Sequence, residues 1–94
     1  MAWIHMRHRV ENYNDWKEVY DSTAELKRQY NWKRYRLFAV GGDRNDILVM
    51  EEFVNQEDAE RWLHSEDLRK ALDLGGVTGQ PDVWLLQGLE EGTA

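Results

Sequence analysis

The sequence predicts one α+β domain: a four-stranded antiparallel sheet with helices on one face, in the order β-α-β-β-α-β. Three observations predict it. Four short segments, 3–10, 35–40, 47–53 and 83–87, read as strands. Two stretches between them carry apolar residues at helical spacing. The third and fourth strands are apolar on both faces, more than one layer of helices can cover.

In the first strand Ile4, Met6, His8 and Val10 point one way and Trp3, His5, Arg7 and Arg9 the other. Asn14 or Asp15 can cap the helix that follows, and Asp15 with Glu18 has capping-box spacing. Trp16, Val19, Thr23, Leu26 and Tyr30 form one stripe on a helix of about four turns, with Asn31 as its stop. Residues 41–45, Gly-Gly-Asp-Arg-Asn, read as the turn of a hairpin between the second and third strands.

Asn55 caps the next helical region, with Ala59, Trp62 and Leu63 on its inner side. Ser65, followed by Glu66 and Asp67, looks like a fresh cap, so two helical pieces or one bent helix are expected. Gly75 and Gly76 end the region, and Pro81 precedes the last strand. Right-handed crossovers in this ferredoxin-like order put strands one and three in the middle, with four beside one and two beside three. Residues 1–88 form the domain; the small acidic tail 89–94 is expected to fray.

A chain of 94 residues without cysteine has no disulfide or thiolate metal site to supplement its modest core. Its net charge of −6 disfavours nucleic acid and anionic membrane surfaces as partners. The same strand order serves RNA-recognition domains, but the third strand here reads Ile-Leu-Val-Met-Glu-Glu-Phe, acidic and aliphatic where those are basic and aromatic. No apolar run approaches a membrane span and the N-terminus lacks a signal segment, so a cytoplasmic protein is expected.

Leu48, Met50, Trp84 and Leu86 emerge on the face away from the helices. Burying each is worth roughly 1.5–3 kcal/mol, so the expected shield is a second copy of the chain. Glu52, Arg7 and Arg36 share that face and read as interface ion pairs.

Several segments carry a family resemblance: Arg7-His8-Arg9-Val10-Glu11-Asn12-Tyr13, Trp16-Lys17, Arg36-Leu37-Phe38, Glu52-Phe53, residues 65–71, Gly76-Val77 and Pro81-Asp82. Together they resemble the small cyclase-like or antibiotic-biosynthesis-monooxygenase-like proteins of the dimeric α/β-barrel superfamily. The resemblance implies a homodimer that closes an α/β barrel, with a ligand cavity between sheet and helices in each subunit. Haem-degrading members use an asparagine near the end of strand one, a tryptophan and a histidine ten residues after it. Those positions fall here at or near His8, on Trp62 and on Leu72. Leu72 cannot bind iron, so no cofactor is expected.

His8 is the candidate catalytic residue: a neutral imidazole on the helix side can act as a base or hold a ligand carbonyl. The alternative is a hydrogen-bonded core histidine. Trp62, Tyr20, Trp16 and Phe53 are the candidate ligand-binding residues, for a flat aromatic compound. Glu51 also faces the helices, where a helix lysine or arginine is its expected partner. A His8–Glu51 dyad is disfavoured, because antiparallel pairing puts the two at opposite ends of the third strand. His5 and His8 point to opposite faces, so no metal pair forms. Two functions stay open: a cofactor-independent monooxygenase or cyclase acting on an aromatic or polyketide-like compound, and a non-catalytic metabolite-sensing or structural dimerisation domain.

Overall fold

The computed structural model describes all residues, 1–94. The chain runs β1 (Ala2–Val10), α1 (Tyr13–Ser22), α2 (Ala24–Arg28), β2 (Trp32–Val40), β3 (Asp43–Phe53), α3 (Gln56–Leu63), α4 (Glu66–Leu74) and β4 (Val77–Gln87). The antiparallel sheet has the order β2-β3-β1-β4, as the crossover rule requires. The helices cover one face, and no helix is long and apolar enough to cross a membrane.

Strand parity assigns the faces. Ala2, Ile4, Met6, His8 and Val10 of β1 are buried beneath the helices with Ile47, Val49 and Phe53 of β3. Cross-strand pairs place the other set together: His5 with Met50 and Trp84, Trp3 with Glu52 and Leu86, Arg7 with Leu48. On this open face Phe38, Trp84 and Leu86 are 44%, 48% and 40% exposed.

Several boundaries differ from the sequence expectation. The first helical region breaks at Thr23, where Ser22 and Thr23 hydroxyls donate to the Val19 and Tyr20 carbonyls and compete with the helical ladder. Its cap is Asn12, whose side chain accepts from the Asp15 amide. Tyr30 falls beyond the helix, just before Asn31 at φ 60°.

The hairpin turn is shorter than residues 41–45. Gly41 and Gly42, at φ 60° and 80°, make it alone, and residues 43–46 already belong to β3. β2 correspondingly starts at Trp32, before the expected residue 35.

The last strand begins at Val77, well before Pro81. Arg9 pairs with Thr78 but Arg7 with Asp82, so β4 holds two more residues than β1 across this step. That bulge takes up Gly79 (φ 73°) and Pro81, which an edge strand tolerates at an interruption of its ladder. His8 stands opposite the bulge.

The expected caps are present at α3 and α4. Asn55 accepts from the Asp58 amide and Ser65 from the Leu68 amide, so α3 and α4 are separate.

Candidate functional site

A small cavity of about 40 Å³ lies between the sheet and the helices. β1 contributes Met6 and His8, β3 Val49 and Glu51, α1 Trp16 and Tyr20, α2 Lys27, and α3 Trp62. Val19 and Thr23, with Leu68, Ala71 and Leu72 of α4, complete the wall. The volume accommodates about three waters. Admitting an aromatic ring requires part of the wall to move, and α4 is the part least anchored, because none of its residues is fully buried.

His8 is 5% exposed and stacks obliquely on Trp16 at 5.6 Å between ring centroids. Burial pushes its pKa down to about 4, so the imidazole is neutral at pH 7. Its Nδ1 is buried without a hydrogen-bond partner. A ligand hydroxyl or carbonyl in the cavity would meet a neutral ring there.

Four residues along β3 from Ile47, the partner of His8, stands Glu51, the partner of Ile4. Roughly 13 Å of strand separates the two registers, so the pair forms no dyad. Glu51 is satisfied by the helices, as expected of a carboxylate on that face. Its Oε2 accepts from Lys27 Nζ and from the Tyr20 hydroxyl, each at 2.7 Å.

Lys27 is 1% exposed. Burial pushes its ammonium pKa down and the Glu51 charge pulls against that shift. Its Nζ lies 3.5 Å from the Tyr20 ring centroid and 4.3 Å from that of Trp32, so aromatic faces replace part of its lost hydration. Burial and the Glu51 carboxylate push the Tyr20 phenol up, so it stays protonated and donates.

Lys27 was not identified from sequence. Its signal is the spacing Trp16, Tyr20, Thr23, Lys27, which with Val19 lines the cavity; reading the stripe through Leu26 instead masks it.

Of the expected ligand-binding residues, Trp16, Tyr20 and Trp62 reach the cavity. Phe53 does not line it: fully buried at the end of β3 and paired with Ala2 and Trp32, it is core. On the open face, the Arg7 guanidinium forks onto Asp46 of its own chain at 3.1 and 2.9 Å. Glu52 faces Arg34 at 2.9 Å. Both therefore have ionic partners inside the subunit. The haem-degrading pattern does not fit: Leu72 lines the cavity and offers iron no donor.

The fold and cavity define a small ferredoxin-like α+β domain with an apolar pocket beneath its helices. Solved structures share this fold over most of the chain. One is an antibiotic biosynthesis monooxygenase (TM-score 0.72, 16% identity, covering 96% of this chain and 100% of that one). SnoaB, a cofactor-independent oxygenase from Streptomyces nogalater, superposes with a TM-score of 0.75 at 15% identity over 96% and 94% of the two chains. A conserved protein from Methanosarcina mazei Go1 gives 0.72 at 10% identity over 92% and 90%. At such identities the likeness shows the fold. No protein-family model and no curated protein matches the chain.

Proposed function

We propose that the protein is a homodimer that binds a small aromatic or polyketide-like compound beneath its helices and oxygenates it without a cofactor. The observation that carries this reading is His8: a buried, neutral imidazole with a free Nδ1, set among Trp16, Tyr20 and Trp62 and opposite a strand bulge. Likeness in fold to SnoaB supports it by analogy.

In such a reaction the substrate itself supplies the electrons. A phenolic substrate loses its proton, the electron-rich ring reduces dioxygen, one oxygen atom enters the product and the other leaves as water. His8 receives the phenol proton or holds the carbonyl that forms. A substrate anion beside it raises its pKa from the resting value, which makes a transient imidazolium accessible. Trp16 and Trp62 supply stacking surface, and α4 moves outward to admit the ring.

The test is oxygen uptake with aromatic quinols, comparing wild type with His8→Ala. Consumption well above background in wild type, lost in the variant, is the expected result. Equal background rates in both remove the enzymatic reading.

One observation favours the second reading, a non-catalytic metabolite-sensing or structural dimerisation domain. The cavity holds only about 40 Å³, too little for an aromatic ring at rest, and its charged residues, Lys27 and Glu51, satisfy each other. That reading expects ligand binding without turnover, or no binding at all.

A further inference from the structure

A second concavity, unrelated to the proton chemistry of His8, lies at the β2 edge of the sheet. It is an open groove of about 460 Å³ between α1–α2 and the start of β2. Tyr20 lines both this groove and the cavity beneath the helices. Trp32 and Tyr35 line it as a stacked pair, 5.2 Å between centroids and 13° from parallel.

The groove is cationic in a chain whose net charge is −6. Arg28, Lys33 and Arg34 line it, with Asp21 as the one carboxylate. Asp21 is taken by Lys17 at 2.5 and 2.7 Å, and Arg34 by Glu52. Arg28 and Lys33 have no ionic partner among the ion pairs of the chain. Trp32 Nε1 is a buried donor with no acceptor.

Edge strands often carry lysine to deter strand addition. That accounts for Lys33 but not for Arg28, which comes from α2, nor for the aromatic wall. Two unpaired cations beside flat π surfaces match a ligand that is itself flat and negatively charged. We infer that this groove binds a small planar aromatic anion, its ring against Trp32 and Tyr35 and its carboxylate between Arg28 and Lys33.

The experiment is an NMR titration of the intact chain with 2-naphthoate, and with 2-naphthamide as the uncharged counterpart. The expected result is saturable shifts at the Trp32 indole N–H and the amides of Arg28 and Lys33, with 2-naphthamide binding at least tenfold more weakly. R28E/K33E alters exposed side chains only and is expected to weaken 2-naphthoate at least tenfold while leaving the rest of the spectrum unchanged. Shifts confined to His8 and Trp62, equal affinity of the double variant, or no shift at millimolar ligand would each overturn the assignment. Because the readout is at the groove, absence of oxygenase activity leaves it unaffected.

Discussion

Lys27 and Glu51 meet at 2.7 Å inside the protein, 1% and 5% exposed, with the Tyr20 hydroxyl on the same carboxylate oxygen. The contact ties α2 and α1 to β3 and forms one end of the cavity. Removing one partner from a buried pair strands the other charge, which costs about 3–5 kcal/mol. Lys27→Met is therefore expected to lower the urea unfolding free energy by that order. Lys27→Met with Glu51→Leu is expected to recover much of it, since no charge remains. Tyr20→Phe removes one charge-assisted hydrogen bond and should cost about 1.5–3 kcal/mol. A Lys27→Met stability within about 0.5 kcal/mol of wild type would contradict the assigned burial.

Stability should depend on pH through His8. Folded His8 titrates at about 4, against 6.5 as its ordinary value. Between those values the unfolded chain binds the proton and the folded one does not. The contribution is fully present above pH 6.5 and is lost as pH falls toward and through 4, amounting to about 3 kcal/mol. His8→Leu should flatten the fall between pH 6.5 and 4, read as the difference between two urea series. Parallel pH profiles for variant and wild type would show that His8 is solvated.

The open sheet face carries the dimer prediction. Trp84 and Leu86 of β4 stand beside His5 and Trp3, and Phe38 beside Leu48. Exposed apolar side chains grouped on one face are what a dimer interface would bury. Wild type is expected to scatter light at twice the chain mass of 11.2 kDa. Trp84→Glu or Leu48→Glu should give monomers or insoluble protein. An unaltered dimer in both variants would move the interface elsewhere.

Parity made much of the site legible. Alternation along β1 put His8 under the helices, and the acidic residue among Ile47, Val49 and Phe53 required a cation from a helix. Alternation cannot see a bulge: Gly79-Gln80-Pro81 has the composition of a loop, so the sequence places the start of β4 too late. Nor does helical spacing reveal that paired hydroxyls at Ser22 and Thr23 interrupt the helix, since each is tolerated singly. The small volume of the cavity is set by how side chains of α1, α3 and α4 fill the space above the sheet, a property of shape that residue types do not encode.

The most direct test of a ligand site beneath the helices is the imidazole nitrogen spectrum of His8 during anaerobic titration with 1,4-dihydroxynaphthalene, which allows binding and prevents turnover. Saturable shifts at the His8 ring, accompanied by the Trp62 indole, are the predicted result. A His8 spectrum that stays fixed at saturating quinol would contradict the account and leave the histidine as part of the core.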